Sequence, residues 1–178
     1  MGSLVTNSQY YNIISKSNNK CLDIPSENMD KNGAKLQQWD YGNVDNQLFR
    51  IIPDGENYRI IAKCSNKCLD IPSEYMEKNG AKLQQWDCND VDNQRFKIVA
   101  EGEYYRIIAI CSNKCLDIPL ENIERNGARV QQWDCNDVDN QLFKIVNLSN
   151  GVSLKLASNL PIVPPSGKKK PVFDKRGC

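Results

Sequence analysis

The chain has 178 residues, with 23 Lys and Arg against 22 Asp and Glu, and no histidine. The missing imidazole excludes Ser-His and Cys-His nucleophile pairs and every histidine-containing metal site. The net charge of +1 is unevenly spread, because 17 bases and 21 acids precede Asn147 while six bases and one acid follow it. The opening stretch Met1-Gly-Ser-Leu-Val-Thr-Asn-Ser-Gln lacks the apolar centre of a signal peptide, and no segment is long enough to span a membrane. Gly2 and Thr6 fit the loose myristoylation pattern, which a chance match or an artificial start explains better.

From Tyr10 onward a pattern of 47 residues occurs three times. Each copy holds Asn-Lys-Cys-Leu-Asp-Ile-Pro, an Asn-Gly turn, Gln-Gln-Trp-Asp and Asp-Asn-Gln-x-Phe. Repeats of this length are single supersecondary units that cannot bury their apolar face alone, so the copies must stack or close into a ring. In the second copy, Tyr58–Ala62, Cys68–Ile71, Ala81–Trp86 and Gln94–Val99 have alternating or β-branched character, with turn signals at Ser65-Asn66, Ser73-Glu74, Asn79-Gly80 and Asp92-Asn93. Four strands per copy and almost no helix predict an all-β fold. A propeller needs four or more blades, whereas three four-stranded units close as a β-trefoil, a short barrel capped by three hairpins. The expected domain runs from 1 to 146, with repeats at about 10–56, 57–103 and 104–146.

The polar residues kept in every copy suggest a sugar site. A galactose-like ring has an apolar C–H face and a rim of hydroxyls, so it needs an aromatic plate and fixed acceptors and donors. In the first copy Trp39 supplies the plate, Asp23 accepts from two neighbouring hydroxyls at a solvent-open rim, and the Asn46 amide donates and accepts, with Gln47 orienting the aspartate. The structural alternative has Asp capping a turn, Asn-Gln closing a loop and Trp half-buried on its own hairpin. Retention of the whole set three times favours the sugar, since a core does not require those polar groups.

Cys-Leu-Asp-Ile, Asn-Gly-Ala-x-x-Gln-x-Trp-Asp and Asp-Asn-Gln-x-Phe over residues 10–146 resemble the ricin B-type lectins, a family of carbohydrate-binding β-trefoils. The resemblance implies core roles for Phe49, Phe96 and Phe143, which stand where that family has the Trp of its Gln-x-Trp. It implies sugar sites at Asp23, Gln37, Trp39, Asn46 and Gln47, at Asp70, Gln84, Trp86, Asn93 and Gln94, and at Asp117, Gln131, Trp133, Asn140 and Gln141. It also implies disulfides Cys68 to Cys88 and Cys115 to Cys135, absent from the first copy, where Tyr41 faces Cys21. Cys64 and Cys111 remain competitors for those pairings, and a zinc site from Cys64, Cys68, Cys111 and Cys115 is a further alternative.

Beyond Val146, Val152–Ala157 reads as one more strand and the rest as a basic, Pro-rich connector, residues 147–178, with Lys168-Lys169-Lys170 and Lys175-Arg176 as protease-accessible points. Only Phe173 lies among the tail's basic residues, and so little aromatic interleaving argues against nucleic acid. The paired acids Asp90 with Asp92 and Asp137 with Asp139 sit in turn sequences, and no Gly-rich phosphate loop is present, so neither catalysis nor a cofactor is expected. The expected function is binding of galactose-type sugars on cell-surface glycans or glycoproteins, as the recognition part of a toxin with a downstream effector domain. Such a protein acts outside the cell and, without a leader, is released or stored in inclusions. The alternatives are an accessory domain of a secreted glycoside hydrolase and a sugar-independent interaction domain.

Overall fold

A computed structural model describes residues 9–152 and 154. The first copy folds as β1 (Tyr11–Ser15), β2 (Cys21–Asp23), β3 (Gln37–Trp39) and β4 (Phe49–Asp54). The second folds as β5 (Asn57–Ala62), β6 (Cys68–Asp70), β7 (Gln84–Trp86) and β8 (Phe96–Glu101). The third folds as β9 (Tyr104–Ala109), β10 (Cys115–Asp117), β11 (Gln131–Trp133) and β12 (Phe143–Asn147). The only helical pieces among the described residues are single 3-10 turns, such as Ser73–Tyr75 and Asp92–Gln94.

Six strands close a barrel. β1 pairs with β12 and β4, β5 with β4 and β8, and β9 with β8 and β12, all antiparallel. The pairs β2 with β3, β6 with β7 and β10 with β11 are the capping hairpins, joined to the barrel by single pairings of β1 with β2, β5 with β6 and β9 with β10. This is the β-trefoil that the repeat count predicts. Along β5 and β9 the side chains alternate between buried and half-buried, as one face of a strand turns inward. The strand expected at Ala81–Trp86 is shorter, because Lys82 makes only an isolated bridge to Gln131 and regular pairing starts at Gln84.

The core is built in threes. Ile13, Ile60 and Ile107, Leu22, Leu69 and Leu116, and Phe49, Phe96 and Phe143 have no exposed surface. The three phenylalanines thus occupy the core positions expected of them, each contributing on the order of 2 to 3 kcal/mol of burial. Tyr11, Tyr58 and Tyr105 form a second cluster with Ile98 and Ile145.

Cys68 bonds to Cys88 and Cys115 to Cys135, with Cα atoms 5.1 Å apart in each pair. Cys64 and Cys111 are left as half-buried thiols and Cys21 as a fully buried one. The bridges use the sulfurs of Cys68 and Cys115, so the four-cysteine zinc site is ruled out. No helix among the described residues is long and apolar enough to cross a membrane. Of the connector expected at 147–178, Asn147 instead ends β12 and a turn follows it to Gly151, whereas the rest of the connector, the strand expected at Val152–Ala157 and the Gly2 motif lie outside the described residues, apart from Val152 and Leu154.

Each bridge closes a loop of 20 residues, which stabilises by about 3 kcal/mol in the chain-entropy model. The first copy folds without one. Reduction should therefore lower the melting temperature while leaving the β-sheet circular dichroism at 25 °C intact, and loss of that signal on reduction would contradict it.

Candidate functional site

Each copy sinks a carboxylate beneath an exposed indole. Asp23, Asp70 and Asp117 end the short strands β2, β6 and β10 and are 3%, 3% and 4% exposed, whereas Trp39, Trp86 and Trp133 on the partner strands are 44%, 41% and 41% exposed. Asp23 pairs across the hairpin with Gln37, whose Nε2 donates to its Oδ1 at 2.8 Å. Asn46 Nδ2 and Gln47 Nε2 donate to Oδ2 at 3.0 and 3.1 Å. The same three bonds recur on Asp70 from Gln84, Asn93 and Gln94, and on Asp117 from Gln131, Asn140 and Gln141. All five residues expected at each site are brought together.

Gln47 orients the aspartate as expected, but the roles of Asp23 and Asn46 differ from those expected. A carboxylate offers about four acceptor positions, and three are filled by protein amides, leaving one for a ligand hydroxyl where two were anticipated. Asn46 spends both amide protons, on Asp23 and on the Ile24 carbonyl at 2.7 Å, so toward a ligand it is an acceptor through Oδ1. In the third copy the corresponding Asn140 Oδ1 is buried with no protein partner. Gln47 is used up, donating to Asp23 and to the Asp40 carbonyl and accepting from the Gly42 amide. It fixes the loop after the tryptophan and does not face a ligand.

A neighbouring copy completes every site. Lys35 Nζ donates to Gln84 Oε1 at 2.7 Å, Lys82 to Gln131 at 2.6 Å and Arg129 to Gln37 at 3.0 Å, which turns each glutamine amide toward its aspartate. The Asn-Gly turn of the preceding copy lies behind the indole. At Gly33, where φ is +84°, a Cβ would stand 3.7 Å from the Trp86 ring, and Gly80 and Gly127 repeat this against Trp133 and Trp39. Beside it Asn32 exchanges two hydrogen bonds with Asp87, at 2.8 and 2.9 Å.

Sequence reasoning missed several neighbours. Gln38, Gln85 and Gln132, fully buried, tie their hairpins to the loop of the preceding copy, as when Gln85 donates to the Met29 and Lys31 carbonyls. The first cleft, about 540 Å³, is also walled by Ser26, Glu27, Tyr41 and Val44, and the second, about 690 Å³, by Ser73, Glu74, Val91 and Cys111. In the third copy Leu120, 61% exposed, stands where the others have serine. The signal available was the recurrence of a base two positions before each Gln-Gln-Trp.

Burial raises the carboxyl pKa of Asp23, Asp70 and Asp117 above the usual 3.8, and the amide hydrogen bonds oppose the rise without cancelling it. The aspartate expected at a solvent-open rim is instead buried and bonded to amides, so Asp70→Ala orphans three buried amide donors. It should cost on the order of 3 kcal/mol, with Asp70→Asn costing less. Denaturant titration of both variants measures this, and wild-type stability in Asp70→Ala would refute the network.

The comparisons with known proteins agree with this architecture. The family described as ricin-type beta-trefoil lectin domain-like matches residues 3–86, 73–133 and 92–160. Among solved structures, a designed threefold-symmetric protein, ThreeFoil, is 32% identical with a TM-score of 0.73, covering 78% of this chain and 99% of its own. An exo-beta-1,3-galactanase from Clostridium thermocellum is 26% identical with a TM-score of 0.75, over 83% of this chain but 32% of the enzyme. A ricin B-like lectin of Macrolepiota procera, solved with lactose, is 18% identical with a TM-score of 0.68, over 80% of this chain and 98% of its own, a likeness of fold. No curated protein matches the sequence. Three matched segments that together span the whole repeat region, on a trefoil with the family's repeat pattern, make the chain a member of the ricin-type β-trefoil lectin-like family.

Proposed function

We propose that this protein binds galactose-type sugars at up to three related sites, one in each copy. The observation that carries the reading is the threefold set of a buried, amide-wired aspartate beneath an exposed tryptophan, with an asparagine oxygen left over as acceptor. The indole takes the apolar face of the ring, and the free carboxylate position and Asn Oδ1 accept from adjacent hydroxyls. These groups are held by the protein before a ligand arrives, so binding orders few side chains. Cell-surface glycans ending in such sugars are the partners, and the two disulfides fit action in an oxidising compartment. The basic, Pro-rich end of the chain, with its clustered lysines, supports a recognition module joined to a toxin effector. The likeness to part of a galactanase supports a second reading, in which the module holds a galactan for an attached glycosidase.

Shallow single sites of this kind should bind with Kd between about 1 mM and 0.1 mM. Three on one rigid body raise avidity for clustered glycans by about two orders of magnitude. Calorimetry with galactose, lactose and N-acetylgalactosamine beside a multivalent glycoprotein tests this, and silence with all of them and on a glycan array would end the sugar reading.

Acid should release the sugar before it unfolds the protein. The site carboxyls have raised pKa values, so they protonate and lose their acceptor at a pH above 3.8. By linkage, a raised native pKa adds stability in acid that is lost as pH rises through it, so these groups do not drive acid unfolding. Asp40, Asp87 and Asp134, held low by Lys20, Lys67 and Lys114, give up their stabilisation only below 3.8. Binding and near-ultraviolet circular dichroism followed together down the pH scale should separate, and coincident loss would contradict the assignment.

A further inference from the structure

The first cleft departs from threefold symmetry on one wall. At the place where Cys88 and Cys135 are bonded back to β6 and β10, the first copy has Tyr41, which is 58% exposed and lines the same cleft as Trp39. No hydrogen bond engages its hydroxyl. The ring is not serving as a lid for the fully buried Cys21, since more than half of it faces solvent. The loop carrying it also has its own conformation. Residue 42 is glycine where the other copies have Asn89 and Asn136, and Asn43 takes a left-handed φ of 49° not adopted by Asp90 or Asp137. The wall therefore loses a side chain next to Tyr41 and gains an aromatic face two residues beyond Trp39.

We propose that the first site reads two consecutive sugar rings, the terminal one on Trp39 and the next one on Tyr41, while the second and third sites read the terminal ring alone. The inference rests on the galactose reading above. An aromatic plate suits the C–H face of the second pyranose, and the phenol at its edge offers a donor and an acceptor to that ring's hydroxyls. Cys88 and Cys135, held in disulfides, present neither. The ligand class is a disaccharide with terminal galactose, for which lactose is the probe.

The chain has three tryptophans, one in each site. Incorporation of 5-fluorotryptophan gives three fluorine resonances, assigned through Trp39→Phe, Trp86→Phe and Trp133→Phe, that report each site separately. Titration with methyl β-galactoside and with lactose should show lactose preferred about three- to tenfold at Trp39, the size of one aromatic contact, and no preference at Trp86 or Trp133. Tyr41→Ala should bring the Trp39 ratio to about one, and Tyr41→Phe should keep most of it. Equal ratios at the three resonances, or a ratio that survives Tyr41→Ala, would overturn the second-ring site while leaving the galactose sites in place. No movement of any resonance with either sugar would overturn the galactose reading, and this inference with it.

Discussion

Three backbone hydrogen bonds close the molecule on itself. Leu36 donates to the Leu83 carbonyl, Leu83 to Val130 and Val130 back to Leu36, each at 3.0 Å. All three side chains are fully buried, so the bonds form away from water, where an unmade one costs about 1 to 3 kcal/mol. No copy can satisfy its own central amide. This is why a 47-residue unit does not stand alone, and it sets where each hairpin meets the next.

The sites inherit that geometry. Lys35, one residue before Leu36, reaches Gln84 of the next copy, and the Gly33 amide donates to the Gln85 carbonyl beside Trp86. A distortion at the threefold axis would move a cation off the glutamine that orients Asp70 and withdraw the backing of the Trp86 ring. Fold and binding surface are therefore coupled, and only the outer faces of the indoles and the rim residues are free to change without cost to the core. Burial of the aspartates is tolerated because every lone pair but one is answered by an amide. The remaining one is kept at the cleft, where a ligand can compensate it.

The four strands of each copy were legible in the sequence because each depends on a local pattern seen three times, and the core phenylalanines were legible through the family resemblance. Burial of the aspartates was not. In Cys21-Leu22-Asp23 strict alternation would expose Asp23, yet all three residues of the strand are buried. The outer face is covered by Asn46 and Gln47, residues 23 and 24 positions away that arrive with a 3-10 turn. The inter-copy cations were equally hidden. Lys35 and Gln84 are 49 residues apart, and a copy-by-copy reading pairs each residue with its equivalents, not with its neighbour across the axis. The recurring base at 35, 82 and 129 was the available clue, and a charged residue on a short hairpin reads by default as solvated.

The loop after each tryptophan shows how the copies differ without breaking the frame. In the second copy it is held twice, by the Cys68–Cys88 bond and by Gln94, which donates to the Asp87 carbonyl and accepts from the Asn89 amide. In the first copy Gln47 makes the same two bonds, to the Asp40 carbonyl and from the Gly42 amide, and the disulfide is missing. The glutamine clamp thus holds residues 40 and 42 without a disulfide, while the backbone just beyond, at Asn43, takes a conformation of its own. Once the clamp fixes the backbone at residues 40 and 42, the residue between them is under no packing demand. That freedom is what permits a large, half-exposed tyrosine at position 41, and it makes this loop the place where one repeated fold varies the wall of its cleft.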